Sequence, residues 1–83
     1  MLEFKFDTQL LIEGKGLDED EIGKHIATHI EGDSLIAVGG DTLIKIHYHT
    51  NTPWKVLEYC AGLGDIYDVV VENMERQEQG LQG

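Results

Sequence analysis

Lys45-Ile46-His47-Tyr48-His49-Thr50-Asn51-Thr52-Pro53 is the stretch on which the fold turns. It reads as the end of a β-strand that runs directly into the start of a helix. Strand side chains alternate with a period of two, so Ile44, Ile46 and Tyr48 share one side and Lys45, His47 and His49 the other. Thr52 is a good N-cap type, and Pro53 suits the first helical position, where a missing N–H costs nothing.

Phe4 to Ile12 alternates as well: Phe4, Phe6, Thr8, Leu10 and Ile12 form one face, and Lys5, Asp7, Gln9 and Leu11 the other. Gly14-Lys15-Gly16 breaks this first strand. Asp18 then caps a helix. Glu21 sits where a capping box wants it, and Leu17 and Ile22 where a hydrophobic staple would form. Ile22, Ile26 and Ile30 make the apolar stripe of that helix, and Gly32 is its expected stop. Leu35 to Val38 is expected as a second strand, joined by a tight Gly39-Gly40 hairpin to a third from Leu43 to His49. The second helix should carry Trp54, Val56, Leu57, Cys60, Ala61 and Leu63 on its apolar side and end at Gly64; a fourth strand covers Ile66 to Glu72. Residues 1–75 thus form one domain, and 76–83 a polar tail or linker.

Strand, helix, strand, strand, helix, strand, with right-handed crossovers, points to an α+β fold. The compact solution is the ferredoxin-like split βαββαβ arrangement, a four-stranded antiparallel sheet with two helices on one face. The first and third strands are then antiparallel neighbours at its centre. Asp7 should come close to His47 or His49 on the face turned away from the helices. Ile36, Val38 and Leu43 should share that face, with either Ile66 and Val70 or Tyr67, Val69 and Val71 from the fourth strand. A face part apolar and part polar is a candidate interface.

With 83 residues, 6 basic and 16 acidic, the chain carries a formal charge of −10. That balance argues against nucleic acid or an anionic membrane as partner, since both require a positive surface. No apolar run approaches the ~20 residues of a membrane span, and the first residues lack a signal-peptide pattern. The single cysteine, Cys60, fits a reducing cytoplasmic setting and reads as a small hydrophobe. The glycine loops, nucleophile elbow and Cys/His/Asp spacings of a self-contained kinase or hydrolase are missing.

The chemistry therefore rests on the His-x-His pair. Two imidazoles on one strand face suit Zn²⁺, and a nearby carboxylate can be a third ligand. Three protein ligands leave a position for water, substrate or a residue of another chain. Histidine also suits proton transfer or phosphoryl acceptance. The structural alternative is a hydrogen-bonded pair on an open sheet. His25 and His29, four residues apart on the first helix, read as solvated or boundary side chains.

Gly32-Asp33-Ser34-Leu35, the strand Leu43 to Asn51, Val56-Leu57-Glu58-Tyr59 and the ending Val71 to Gln77 occur in an order and spacing that resemble one kind of domain. It is the middle domain of the A-type subunit of bacterial fatty acid kinase, of the DhaL/DegV-related, dihydroxyacetone-kinase-like multidomain proteins. The resemblance implies an accessory and dimerisation domain. Its partners in the full-length setting would be a DhaL-like domain that binds ATP and Mg²⁺, a DegV-like region, and a separate DegV-type fatty-acid-binding protein. It also implies zinc held by a Cys and the two His of the motif, with those His linked to phosphoryl transfer. The matching His are His47 and His49; Asp7 stands at the Cys position. The chain is thus expected not to be a complete enzyme by itself. The alternatives are a small regulatory or ligand-binding dimerisation module without metal, and a complete small metalloenzyme.

Overall fold

In the computed structural model, which describes residues 2–83, the chain runs β1 (Phe6–Glu13), α1 (Glu19–His29), β2 (Gly32–Gly39), β3 (Leu43–Thr50), α2 (Pro53–Ala61), β4 (Asp65–Asn73) and α3 (Met74–Glu78). Met1, where the expected domain begins, lies outside the described residues. The four strands form one antiparallel sheet in the order β2-β3-β1-β4. This is the ferredoxin-like α+β arrangement, with β1 and β3 central.

The alternation in these two strands sorts the sheet into faces. Leu10 and Ile12 of β1 and Ile44, Ile46 and Tyr48 of β3 are buried, and the core joins them to Leu17, Ile22, Ile26 and Ile30 on the α1 side and to Val56 and Cys60 of α2. Thr8 is fully buried in the same layer, its hydroxyl without a partner. Asp18 caps α1 as expected, accepting hydrogen bonds from the N–H groups of Asp20 and Glu21.

The helix stop differs from expectation. α1 ends because Ile30 turns extended, and the carbonyls just past the helix are met by β3: the Tyr48 hydroxyl donates to the Ile30 carbonyl at 2.6 Å, and Thr50 Oγ1 to that of Glu31 at 2.8 Å. Gly32 instead begins β2, where a Cβ would run into the His49 carbonyl and the Tyr48 ring.

The hairpin between β2 and β3 is longer than a two-residue turn. β2 continues through Gly39 (φ 147°), and the Gly40 N–H donates to the Leu43 carbonyl across the loop. α2 ends at Ala61 with Gly62 as its cap, earlier than Gly64, and Trp54 points outward rather than into the core. The polar end of the chain contains α3, capped by Asn73 through the Arg76 N–H.

Each edge strand carries an irregularity. In β2 the pairing slips between Asp33 and Ile36, with Ser34 at φ 57°; in β4 it slips opposite Gln9 to Leu11, with Asp68 at φ 50°. An extra residue reverses the alternation beyond it. On β4 this pairs Tyr67 with Leu11 and Val70 with Gln9, so Tyr67 and Val70 both belong to the open face. Neither expected set for the fourth strand holds, because the bulge draws one member from each.

Candidate metal centre

The register between β1 and β3 pairs Asp7 with His49 and Gln9 with His47. Directly paired residues project to the same side, so one carboxylate and two imidazoles meet on the open face. The two Nε2 atoms are 3.1 Å apart, and Asp7 Oδ1 is 3.7 Å from that of His47 and 3.9 Å from that of His49. A point equidistant from these three atoms lies about 2 Å from each, the length of a Zn–N or Zn–O bond. All three side chains are partly buried.

Neighbouring groups hold the triangle in place. The Gln9 amide donates to both Asp7 oxygens, at 3.2 and 3.4 Å, which orients the carboxylate. Asn51, just beyond β3, clamps the start of β1: its Oδ1 accepts from the Lys5 N–H at 2.8 Å, and its Nδ2 donates to the Glu3 carbonyl at 3.0 Å. The amide thus imitates a strand backbone and continues the β1–β3 pairing past Phe6. From the other side, Asp33 of β2 places a carboxylate oxygen 3.6 Å from Nδ1 of His49.

Two neutral imidazole nitrogens and a carboxylate oxygen are a donor set that divalent zinc accepts, with a fourth position free for water or another ligand. The residues present therefore fit the metal. Asp7 supplies a harder ligand than a thiolate, which moves the site toward oxygen-tolerant divalent ions.

His25 and His29 are used differently. The His25 ring stacks on that of His29 and on that of Tyr59, each at 4.0 Å between centroids, and His29 Nδ1 lies 3.0 Å from the His25 carbonyl. They form a wall of the groove between the two long helices, across the sheet from Asp7, His47 and His49. Cys60 is buried, and burial pushes its thiol up to about 12, far from a reactive thiolate. Asp7, His47 and His49 are the group of three metal-type ligands found together among the described residues.

Sequence reasoning brings Asp7, His47 and His49 together correctly. It assigns no role to Asp33 or to the Asn51 clamp. Asp33 reaches the site only because the pairing slips immediately after it, and Asn51 shows its use only once Glu3 and Lys5 are seen beside it.

The chain is similar to known proteins over much of its length. An uncharacterized protein of Staphylococcus haemolyticus is 40% identical over 48 residues, covering 58% of this chain and 9% of its own length. An uncharacterized protein of Staphylococcus aureus strain USA300 is 34% identical over 65 residues, covering 78% of this chain and 12% of its own length. The chain thus spans about a tenth of the curated relatives it matches. Residues 3–81, nearly the whole chain, match the FakA-like family, the middle domain of proteins like the A-type component of fatty acid kinase, and the protein belongs to that family.

Proposed function

We propose that this domain is an accessory, self-associating module of a fatty-acid-kinase-type multidomain protein, and that Asp7, His47 and His49 hold a divalent metal ion, zinc foremost. The observation that carries this reading is the triangle of 3.1, 3.7 and 3.9 Å between the three ligand atoms. Bound there, the ion would act as a Lewis acid toward a phosphoryl or carboxyl oxygen. The chain's own contribution is positional. Gln9 and Asn51 fix the carboxylate side, and the β3 alternation presents both imidazoles to it. In the full-length protein, His47 and His49 would assist phosphoryl transfer beside a DhaL-like ATP-binding domain, with the fatty acid brought by a DegV-type partner. The isolated chain should turn over no ATP, and substantial turnover would contradict its role as an accessory piece.

Metal analysis of protein purified without a histidine tag tests the site. Wild type should carry about one zinc per chain and the variant His47→Ala/His49→Ala none; equal content in both defeats the metal reading.

Self-association is supported by the open face. Ile36, Val38, Leu43 and Val70 are each 42–50% exposed there, around the partly buried ligands. Exposed apolar side chains interspersed with polar groups on both edges of one sheet face are what a second copy would cover. The setting we propose is cytoplasmic, since a chain with one buried thiol needs no oxidising compartment. No helix among the described residues is long and apolar enough to cross a membrane.

A further inference from the structure

We infer that Asp33 is a positioning residue that decides which of the two histidines carries their shared proton: it holds hydrogen on Nδ1 of His49, so that Nε2 of His49 is a bare acceptor and Nε2 of His47 the donor. This deepens the metal reading above, and rests on it only for what it says about affinity.

The two Nε2 atoms face one another at 3.1 Å, a distance at which one nitrogen donates and the other accepts. Between neutral imidazoles only one proton fits there: the donor ring carries its single N–H on Nε2, and the acceptor ring must carry its own on Nδ1. The partners are unequal. His49 Nδ1 lies 3.6 Å from the Asp33 carboxylate, just outside hydrogen-bond length, and the negative charge there favours the tautomer with hydrogen on that nitrogen. Among the described residues, Nδ1 of His47 has no hydrogen-bond or ion-pair partner. With Nδ1 of His49 protonated, its Nε2 must accept, and the proton between the rings belongs to His47. His47 Nε2 also lies 3.7 Å from Asp7 Oδ1. The order is Asp33, His49, His47, Asp7, with a carboxylate at each end. A carboxylate behind a ligating imidazole fixes both its tautomer and its ring orientation.

The backbone is arranged for this contact. Asp33 pairs directly with His49, while Ile36, three residues on, pairs with His47. The extra residue lets Asp33 and Ile36 share the open face while Leu35 and Ala37 pack against the core. It requires Ser34 at φ 57°, a left-handed conformation that costs a non-glycine residue of order 1 kcal/mol or more and recurs at functional sites. Gly32, one residue before Asp33, has no room for a Cβ against the His49 carbonyl, so the close approach of β2 at this point is built into the sequence.

The test is long-range ¹H–¹⁵N correlation NMR of the histidine rings in metal-free protein, at about pH 8.5, where an ordinary imidazole is neutral. Wild type should show His49 protonated on Nδ1 and His47 on Nε2. In Asp33→Ala that bias is lost, either ring can carry the one proton between them, and His49 should show a mixture of its Nδ1–H and Nε2–H forms. Asp33→Asn, whose amide oxygen still accepts, should retain the wild-type pattern. A purely structural role for Asp33 would leave the tautomers alone. The same His49 tautomer in wild type and Asp33→Ala, with Asp33→Asn folded and giving it too, overturns the inference. Zinc titration supplies the second readout: affinity should fall about 10–100-fold in Asp33→Ala. If the tautomers shift as stated but wild type takes up no zinc, the metal reading falls and the assignment of Asp33 stands.

Discussion

A side chain at position 32 has nowhere to go. Its Cβ would meet the carbonyl of His49 and the ring of Tyr48, both fixed by β3. Gly32→Ala should therefore cost about 1–3 kcal/mol through forced displacement of β2, and lower the thermal midpoint accordingly; an unchanged midpoint would mean that β2 can retreat freely from His49. Cys60 gives a second prediction at this scale. Burial raises its thiol from an ordinary 9.0 to about 12, and Tyr48 and Tyr59 are raised in the same direction by their own burial. A raised acid favours the folded state only while the group stays protonated in the unfolded chain. Stability from Cys60 is therefore complete below about pH 9 and declines as pH rises from there toward 12. Denaturant melts between pH 8 and 11 should show this decline, and Cys60→Ala should make it shallower; an identical slope would remove the thiol from the cause. Legibility in the sequence is most uneven among single residues. The face occupied by His47 and His49 follows from Ile44, Ile46 and Tyr48, since alternation leaves no choice. The role of Gly32 does not, because a glycine after a helix suits a stop as well as a close strand approach, and only the Tyr48 ring distinguishes them.

Among the elements, β1 and β3 were legible and the edges were not. Central strands announce themselves by unbroken alternation, as in Phe6 to Ile12 and Leu43 to His49. The bulges at Ser34 and Asp68 carry no such mark: serine and aspartate at positive φ look like any other polar strand residue, and each reverses the facing of the strand residues beyond it. The exchange of Tyr67 and Val70 onto one face is the result. The β1–β3 pair depends on Asn51 for its last rung. Asn51→Ala removes hydrogen bonds to Lys5 and Glu3 and should cost about 1–2 kcal/mol. Hydrogen exchange should quicken at the Lys5 amide well before it does at Leu10. If Lys5 stays as protected as in wild type, the clamp is not what holds the start of β1, and Asp7 needs another explanation for its place.

At the scale of the whole molecule, one side of the sheet is covered by the helices and the other carries both the apolar residues and the ligands. Val38 is half exposed beside Ile36 on that side. Val38→Lys should convert a dimer into a monomer in size-exclusion chromatography with light scattering, while leaving the fold intact; a wild type that is strictly monomeric at high concentration would contradict the interface. The fold class and its family were readable because several motifs stand in register along the chain. The nearness of Asp7 to His47 and His49 was readable, and the groups behind them depend on cross-strand contacts that linear spacing does not encode. In the proposed metal centre Asp7, His47 and His49 act as one set of ligands. Isothermal titration of zinc into the tag-free, metal-stripped protein tests it most directly, with Asp7→Ala and His47→Ala/His49→Ala alongside. One site per chain is expected, weakened at least about tenfold without Asp7 and abolished without the two histidines. Equal binding by all three proteins would contradict it.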